Sequence, residues 1–382
     1  MTAPVANIGD LRAQARRRIP RWIFDYADGG AYDERTLQAN RDDLARLQLR
    51  QRVMVDVSSR SIATSVLGQA IRAPLAIAPT GLAGLFHPHG EIHGARAAVA
   101  SGIPFCLSTL SICSIEAVRA ATQTPFWFQI YVMRDRGVTR SLIERAVAAQ
   151  CSALVLTLDL QVQGQRHRDV RNGLGLPPRL SMTNLLDMAT RPRWTLGILA
   201  ARRFSFGNLS GALSSFADGQ TFGEWIAQSF DPSLTWDDVA WVRALWPRKL
   251  ILKGVLDVED AKLAVAAGAD AVVVSNHGGR QLDGAPSSIA VLPRIAAAVG
   301  DRTEILFDGG VQSGQDVLKA LALGARCCLL GKAYLYGLAA AGEPGVRKVI
   351  ELISRELSVS MALTGSASVQ RVDRSVLYRE DQ

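Results

Sequence analysis

The sequence predicts a (β/α)8 barrel, and three features of the chain support this class of fold. From about residue 74 onward, short apolar runs typical of buried parallel strands alternate with amphipathic segments typical of helices. Most of these helical segments are Ala-rich and end in glycine, as helices commonly do. Eight strand–helix units occur, and eight is the number that closes such a barrel. An open, doubly wound sheet is the alternative that the pattern leaves open.

The eight predicted strands follow a long N-terminal segment, residues 1–73, which is predicted to form a helical leader. Residues 160–232 separate the fourth strand from its helix, and an insertion of this length is typically functional or mobile. We interpret 1–382 as a single barrel domain. The strands are PLAIAP (74–79), PFCLST (104–109), FWFQIYV (126–132), ALVLTLD (153–159), KLILKGV (249–255), AVVVSN (271–276), EILFDGG (304–310) and CCLLGKA (327–333).

Composition restricts the class of protein further. Of the 382 residues, 48% are hydrophobic and 20% are charged, which is typical of a globular chain. No apolar run reaches the roughly 18 residues that a membrane-spanning helix needs, and the N-terminus shows no signal-peptide pattern. The five cysteines contain no C-x-x-C pair, so we expect buried thiols in a reducing compartment and predict a cytoplasmic protein.

The net charge of +8 is spread over basic residues that are interspersed with acidic ones. An anionic substrate, an anionic cofactor or a membrane surface accounts for this charge as well as nucleic acid does, and we expect no nucleic-acid partner. The five histidines show no ligand spacing with nearby carboxylates, so no metal site is predicted. No Rossmann or Walker motif occurs, which argues against a dinucleotide cofactor.

Polar residues follow nearly every predicted strand at its C-terminal end. In a barrel of this kind, these ends meet on one face, and that face carries the chemistry. Capping or turn formation would explain such residues at one strand, whereas eight strands together favour a functional site. The residues are Pro79, Thr80, Gly81, Ser108, Thr109, Gln129, Tyr131, Thr157, Asp159, Lys253, Ser275, His277, Arg280, Asp308, Gly309, Gly310, Gly331 and Lys332.

His277 and Arg280 follow the sixth strand, in the segment SNHGGRQLDG. The glycines between them let the backbone turn sharply, and a planar guanidinium suits a carboxylate. A base beside a carboxylate-binding group is what proton removal next to a bound carboxylic acid requires. Asp159 is a candidate to orient His277, with a helix or turn cap as the alternative. For His277 taken alone, a structural histidine is the alternative.

Further basic residues and glycines complete the predicted site. In the insertion, Arg166 and Arg168 are candidates for a second carboxylate contact, although a solvated side chain is the favoured interpretation for Arg168. DGGVQSGQDV (308–317) and GKA (331–333) close the seventh and eighth strands, where barrels commonly bind phosphate. Lys253 is a candidate to stabilise negative charge on a reduced cofactor ring.

These motifs resemble those of the FMN-dependent 2-hydroxy acid oxidase and dehydrogenase family, whose active-site signature is similar to SNHGGRQLDG. The likeness covers almost the whole chain. It is strongest toward the bacterial lactate and mandelate dehydrogenases, through LSTLSICSIEAV (107–118) and FDPSLTWDDVAWVRALWPRKL (230–250). Other matching segments are IFDYADGGAYDERTL, MVDVSSRS, APTGLAG, WFQIYVMRDR, LTLD, KGVLDVEDA and LALGA.

The resemblance implies a role for each residue of the site. His277 is expected to take the substrate proton while paired with Asp159, and Arg280 and Arg166 to hold the substrate carboxylate. Tyr26 is expected to contact the carboxylate, and Tyr131 the hydroxyl or developing keto oxygen. The implied FMN site comprises Pro79, Thr80, Gly81, Ser108, Gln129, Thr157, Lys253 and Ser275, with the phosphate near Asp308, Gly309, Gly310, Gly331 and Lys332.

Two positions depart from the family pattern. The family usually has arginine at the positions of Gln312 and Lys332, where the side chains help to neutralise the phosphate. This chain lacks one of those charges, and its lysine has no bidentate fork. We therefore predict weaker FMN retention than in its relatives.

Two further positions bear on the reaction. Gly81 is more common in the family's dehydrogenases than in its oxidases, which often carry alanine there, so a quinone or protein acceptor is favoured over oxygen. Leu110 replaces a tryptophan of some short-chain oxidases and leaves room for acids larger than glycolate. L-lactate is the favoured substrate and mandelate or another larger acid the alternative. An oxidase and a binding protein without chemistry remain competing hypotheses.

The insertion resembles the segment that attaches bacterial relatives to membranes. In RPRWTLGILAARRF (191–204), arginines flank an apolar core with Trp194 and Phe204, which suits a membrane interface. A loop packed on its own barrel or on a neighbouring subunit is the alternative. The sequence leaves open both interpretations, peripheral contact with the inner membrane and a packed loop. The resemblance implies a homotetramer.

Overall fold

The computed structural model of the protein describes residues 4–173, 181–201, 205–209 and 222–378. Its strands are β1 Thr64–Val66, β2 Gln69–Ile71, β3 Leu75–Ile77, β4 Cys106–Ser108, β5 Trp127–Ile130, β6 Ala153–Thr157, β7 Lys249–Val255, β8 Ala271–Val274, β9 Glu304–Phe307 and β10 Cys327–Leu330. Its helices are α1 Ile8–Arg18, α2 Arg21–Asp28, α3 Arg35–Arg46, α4 Ala83–Phe86, α5 Gly90–Ser101, α6 Ile115–Thr122, α7 Arg136–Ala148, α8 His167–Arg171, α9 Met182–Ala189, α10 Pro192–Ala201, α11 Phe222–Ser229, α12 Trp236–Leu245, α13 Val258–Ala266, α14 Ser288–Val299, α15 Gly314–Ala322, α16 Lys332–Ala341 and α17 Glu343–Leu363, followed by 3-10 turns at Val369–Arg371 and Arg374–Val376.

The strands β3 to β10 form one parallel barrel, which confirms the predicted (β/α)8 fold. Their order is β3-β10-β9-β8-β7-β6-β5-β4, and an isolated parallel bridge between Ile77 and Phe105 joins the two ends. Each of the eight predicted runs contains one of these strands. Because the strands are parallel, their C-terminal ends all lie on one rim.

The barrel interior is filled by side chains from alternate strand positions, as the two-residue period of a strand requires. Small side chains there surround the large ring of Trp127, which is 1% exposed. The hairpin β1–β2 extends this cluster through Val66, Leu67 and Ile71. All five cysteines are buried and none forms a disulfide, in agreement with the predicted buried thiols. The other inward residues are Ala76, Ala78, Cys106, Ala153, Val155, Ile251, Ala271, Val273, Leu306, Cys327 and Leu329.

The leader is helical in α1, α2 and α3, but it ends in the hairpin β1–β2, which was not evident from the sequence. Leu67 and Gly68 form the two-residue turn with φ angles of 50° and 81°, the geometry that short hairpins favour. Helix α1 packs along α16. In α2, Phe24 stacks on Tyr336 with ring centroids 6.1 Å apart. These contacts hold the leader against the outer helices of the barrel.

The described part of the insertion, within residues 160–232, forms the helices α8 to α11. Trp194 of α10 is buried. Its indole N–H donates to the carbonyl of Leu85 at 2.7 Å, and its ring meets that of Trp22 edge-on at 6.3 Å. The insertion is therefore fastened to the leader through an apolar contact. In the described ranges, no helix has the length and hydropathy that crossing a bilayer requires.

Candidate active site

The segment after β8 turns sharply and presents His277 at the rim of the barrel. Three consecutive residues have left-handed φ angles: 58° at His277, 66° at Gly278 and 72° at Gly279. A Cβ on Gly279 would lie 2.5 Å from the backbone nitrogen of Leu37 in α3, so glycine permits this close approach. The backbone N–H of His277 donates to the Ser275 hydroxyl at 3.0 Å, which steadies the turn.

A pair of buried amides fastens this turn to the leader. Asn40 in α3 and Asn276 exchange side-chain hydrogen bonds of 2.8 Å in both directions. Oδ1 of Asn276 also accepts from the backbone N–H of Gly279 at 3.1 Å. Removing one buried amide would leave its partner unsatisfied, which costs more than the bond itself contributes. The sequence offered no signal for Asn40, because an asparagine within a helix is usually exposed.

Asp159 pairs with His277, as predicted from the sequence. Nδ1 of His277 lies 3.0 Å from Oδ1 of Asp159. Burial lowers the pKa of His277, Asp159 opposes this effect, and Lys253 adds to it. Burial alone would raise the pKa of Asp159, but His277 and Lys253 bring that pKa below its usual range. A neutral imidazole therefore faces an ionised carboxylate, with its proton on Nδ1 and with Nε2 as the acceptor.

Gly254 makes room for Asp159 and was missed at the sequence level. Its φ is 101°, and a Cβ there would lie 2.5 Å from Cγ of Asp159. The pairing of β7 with β8 shifts register at this position, between Lys253 and Val255. Glycine inside a strand commonly marks a bulge or a close approach, so the run KLILKGV carried a usable signal.

Lys253 lies in a buried chain of polar contacts. Its Nζ donates to the Ser275 hydroxyl at 3.1 Å and lies 3.2 Å from Oδ2 of Asp308. The Ser275 hydroxyl donates onward to the same Asp308 oxygen at 2.6 Å. Burial would lower the pKa of Lys253, but Asp308 and Asp159 raise it above its usual value. Lys253 is therefore a permanent positive charge between the His277–Asp159 pair and the loop after β9.

A cavity of about 510 Å³ at the C-terminal rim brings together most of the predicted residues. Asp159 and Thr157 instead line a second cavity of about 370 Å³, and Gln129 and Ser275 line neither of the two. The predicted residues that line the larger cavity are Tyr26, Pro79, Thr80, Gly81, Ser108, Tyr131, Arg166, Lys253, His277, Arg280, Asp308, Gly309, Gly310, Gly331 and Lys332.

Arg166 and Arg280 place two positive charges in the larger cavity. Nε of Arg166 donates to the carbonyl of Arg280 at 3.3 Å, and burial and then the charge of Arg280 lower the pKa of Arg166 to about 10. Among the described residues, neither guanidinium forms an ion pair, whereas Arg168 pairs with Asp28 and Glu34 and is not simply solvated. Asp169 attracts both groups electrostatically without forming a hydrogen bond or ion pair with either of them. Two adjacent cations that lack an ion pair favour an anionic ligand.

Two tyrosines also line the cavity. The guanidinium carbon of Arg280 lies 4.7 Å from the ring centroid of Tyr26, which α2 supplies. Tyr131 follows β5 and packs on Phe230 at 4.9 Å between centroids. Burial, and then the charge of Asp159, raise the pKa of Tyr131, so its phenol stays protonated and can donate a hydrogen bond.

The glycines after β9 and β10 form the far end of the cavity. Gly309 and Gly310 have φ angles of 126° and 88°, and a Cβ on Gly310 would lie 2.7 Å from the carbonyl oxygen of Asn40. Within the part of the chain that the structure describes, the backbone N–H groups of these two glycines donate to no acceptor. Gly331 precedes α16, whose N-terminal end lies at the same cavity.

Lys332 begins α16 and reaches the C-terminal end of α2. Its ammonium donates to the carbonyls of Ala27, Asp28 and Gly29 at 2.8, 3.0 and 2.7 Å. Burial, and then the charge of Arg280, lower the pKa of Lys332 to about 7. The three carbonyls favour the charged form, because a neutral amine lacks a third donor.

A (β/α)8 barrel with a histidine–carboxylate pair beside two guanidinium groups that form no ion pair among the described residues defines a class of barrel enzyme that works on an anion. The family model described as "FMN-dependent dehydrogenase" matches residues 15–379, and the chain belongs to this family. Its cofactor is FMN.

Named relatives and solved structures agree with this membership. An L-lactate dehydrogenase of Caulobacter vibrioides (strain NA1000 / CB15N) is 50% identical over 98% of this chain and 97% of its own length. An L-lactate dehydrogenase of Xanthomonas euvesicatoria pv. vesicatoria (strain 85-10) is 46% identical over 98% and 97%. The structure of the monotopic membrane protein (S)-mandelate dehydrogenase aligns with a TM-score of 0.91 at 38% identity, over 98% of this chain and 100% of that one. A mandelate oxidase aligns with a TM-score of 0.84 at 39% identity, over 98% of each chain.

Unsatisfied polar groups at the rim test whether FMN fits the residues present. Nε2 of Gln129 and Oγ1 of Thr157 are buried and have no hydrogen-bond partner among the residues that the structure describes. Both residues lie at the C-terminal ends of their strands, at positions that face the barrel interior. Ser108 occupies the same kind of position, and its hydroxyl donates to Oε1 of Gln129 at 3.1 Å. A heterocycle with hydrogen-bonding edges would satisfy these groups, and the glycine turn at 309–310 suits a phosphate. The residues therefore fit FMN.

Replacing Gly254 by alanine tests the space that this glycine gives to Asp159. Gly284→Ala is the matched control, because Gly284 has a φ of 86° but a Cβ added there would meet no atom within 4 Å. Both changes should reduce the free energy of unfolding by about 1–2 kcal/mol through backbone strain. Gly254→Ala should reduce the free energy of unfolding more than Gly284→Ala does, because its Cβ also clashes with Asp159; denaturation measures this difference. It should also shift the pKa of His277, which histidine NMR measures. Equal effects of the two changes on both measurements would refute the steric argument.

The Asp159→Asn change tests the electrostatics of the pair. Asp159 is the neighbour that raises the pKa of His277, so its neutralisation should lower that pKa further below the usual value of about 6.5. NMR titration of the His277 Cε1–H signal, assigned with a His277→Asn sample, provides the measurement. Asp238→Asn, which removes a partner of Arg136, should leave the value unchanged. A rise in the pKa of His277 in Asp159→Asn would contradict the pairing.

Proposed function

We propose that this FMN-dependent dehydrogenase oxidises an L-2-hydroxy acid, with L-lactate as the favoured substrate, to the 2-keto acid. The observation that carries the proposal is the His277–Asp159 pair beside the guanidinium groups of Arg166 and Arg280, which form no ion pair among the described residues. A 2-hydroxy acid carries its reacting carbon next to its carboxylate. The base and the two cations match those neighbouring groups.

In the proposed reaction, Arg166, Arg280 and Tyr26 hold the substrate carboxylate. The two guanidinium groups supply planar donors for its oxygens, and the carboxylate offsets the repulsion between them. Tyr131 donates a hydrogen bond to the substrate hydroxyl or developing keto oxygen and keeps its proton, because its pKa is raised. This arrangement fixes which face of the substrate carbon is presented and so predicts selectivity for one enantiomer.

His277 takes a proton from the substrate at Nε2. The carboxylate of Asp159, 3.0 Å from Nδ1, stabilises the imidazolium that forms. Because burial lowers the pKa of His277, the ring is neutral at neutral pH and is ready to act as a base. Protonation of His277 at low pH would remove this base, so kcat/KM should fall as the pH drops through its pKa.

FMN, when bound, supplies the two-electron acceptor for the substrate carbon. The residues proposed to hold it combine inward-facing side chains at the rim with backbone N–H groups at the phosphate end. Lys253 lies among them as a buried positive charge and is proposed to stabilise negative charge on the reduced ring. They are Pro79, Thr80, Gly81, Ser108, Gln129, Thr157, Lys253, Ser275, Asp308, Gly309, Gly310, Gly331 and, through the backbone N–H at the start of α16 and not through its engaged ammonium, Lys332.

A larger acid such as (S)-mandelate is the alternative substrate. Leu110 lines the cavity with a side chain of moderate size, and the solved relatives include an (S)-mandelate dehydrogenase and mandelate oxidases.

Gly81 favours a dehydrogenase that passes electrons to a quinone or protein acceptor over an oxidase. A Cβ at position 81 would lie 3.3 Å from both the Tyr26 hydroxyl and Cβ of Leu110, so the glycine keeps this corner open.

Anaerobic reduction of the FMN-loaded protein by a panel of acids tests the function. L-lactate should bleach the flavin absorbance rapidly and D-lactate should not, and a faster reaction with (S)-mandelate would instead select that substrate. His277→Asn should slow bleaching about 10²- to 10⁴-fold. His89→Asn is the control, because His89 is an exposed histidine with a similar φ of 56°. Bleaching by no acid, with FMN bound, would defeat the proposal. Peroxide formed under air would identify an oxidase.

We also propose peripheral contact with the cytoplasmic membrane through α9 and α10. Their outer faces expose Met182, Leu186, Leu196 and Leu199 by 54–73% of their surface, next to Arg191 and Arg193. Such a surface suits a lipid interface, although Trp194 is buried against the leader. Phe204 lies outside the described residues. The solved relative called a monotopic membrane protein supports this proposal; the homotetramer stays a prediction.

Vesicle flotation of the FMN-loaded protein tests the membrane contact. The double change Leu186→Gln and Leu196→Gln should weaken binding to phosphatidylglycerol-containing vesicles about tenfold or more, because each buried leucine contributes about 1.5 kcal/mol or more. Leu363→Gln, at a leucine of α17 that is 57% exposed against 65% and 67% for Leu186 and Leu196, should have no effect. Unchanged flotation of the double variant would exclude this face as the contact.

A further inference from the structure

The ammonium of Lys332 is fully used in holding the leader. It has three N–H donors, and all three bond to carbonyls at the C-terminal end of α2. A cation is favoured there because these carbonyls form the negative end of the helix dipole. Lys332 thus acts as a positioning residue for α2, which carries Tyr26.

The other side chains near the glycine turn leave a deficit of positive charge. Gln312 is neutral, and its backbone N–H donates to Asp316 at 2.9 Å. Arg12 lines the same end of the cavity, but Asp28 binds it through two contacts of 2.6 and 2.8 Å. The charge of Arg12 is therefore already compensated.

Arg41 in α3 supplies an available guanidinium at this turn. Its Nη1 donates to the carbonyl of Gly310 at 2.7 Å and lies 3.6 Å from a carboxylate oxygen of Asp316. Among the described residues, Nε and Nη2 of Arg41 donate to no acceptor. The side chain also lines the cavity, together with Gly309 and Gln312. A planar fork with unused donors therefore lies beside two glycines with unused backbone N–H groups.

We infer that Arg41 provides the positive charge for the phosphate of FMN in this chain. Gln312 cannot supply this charge because it is neutral, and Lys332 cannot because its ammonium is bonded to the leader. This inference rests on the proposed binding of FMN in the larger cavity. Arginine suits phosphate because its fork donates two parallel hydrogen bonds. Since Arg41 comes from the leader, the docking of α3 and the retention of the cofactor are coupled.

Flavin selectivity of the full-length chain, freed of its cofactor, tests the inference. The apoprotein is titrated with FMN and with riboflavin, which lacks the phosphate. Arg41→Gln should raise the Kd for FMN about tenfold or more, as the loss of a charge-assisted contact predicts, and should leave the Kd for riboflavin unchanged. Arg46→Gln is the control, because Arg46 is an exposed arginine of the same helix that pairs with Asp43 at 2.5 Å.

The Lys332→Met change distinguishes the role of Lys332 from that of Arg41. It should lower the Tm and raise KM by loosening α2, while the preference for FMN over riboflavin stays close to that of the unmodified protein. Loss of that preference in Lys332→Met, with its retention in Arg41→Gln, would overturn the inference, as would equal weakening of both flavins by Arg41→Gln.

If Arg41→Gln yields no folded apoprotein, Arg41→Lys replaces it. Lysine keeps the positive charge but lacks the planar guanidinium fork. The preference for FMN over riboflavin should therefore fall by less than is expected for Arg41→Gln, and an unchanged preference overturns the inference. These titrations need no substrate. A failure of every acid to bleach the flavin would therefore count against the proposed function and not against Arg41.

Discussion

The concentration of positive charge at the mouth of the barrel is the constraint on which the rest of the site depends. Arg166 and Arg280 lie together without an ion-pair partner among the described residues, whereas Lys253, buried at the same rim, pairs with Asp308 at 3.2 Å. Buried charges without partners are costly. We propose that the protein tolerates them because they surround space for anions, a substrate carboxylate at one end and a cofactor phosphate at the other. In this proposal the charges select an anionic ligand before any chemistry takes place.

Backbone carbonyls of the leader stabilise part of this positive charge. Arg280 donates to the carbonyls of Tyr26 and Gly29, and Lys332 donates to those of residues 27–29. The C-terminal end of α2 therefore lies between two cations of the barrel. Asp28 adds a carboxylate that Arg12 and Tyr336 bind, and these two partners keep its pKa low although burial would raise it. The leader is in this way an electrostatic part of the site.

Backbone geometry, as well as charge, fixes the position of the His277 imidazole. His277 adopts a left-handed φ inside a turn that Gly278 and Gly279 continue, and the Asn40–Asn276 amide pair ties that turn to α3. Gly254 opens the space into which Asp159 fits. A small change at any of these positions would move the imidazole relative to its carboxylate. The strain of the turn is maintained because packing on several sides leaves no alternative conformation.

The sequence by itself determined the eight strands, the rim on which the polar residues gather, and the histidine, aspartate and arginines that meet there. These features follow from local periodicity and from the rule that parallel strands end on one face. Tertiary structure alone decided the roles of Asn40, Gly254 and the hairpin β1–β2, and it placed Lys332 on the leader. These contacts join residues far apart in the chain: Asn40 and Asn276 are separated by 236 positions. No local pattern encodes such a distance, because it arises only when the barrel closes and the leader packs across its rim.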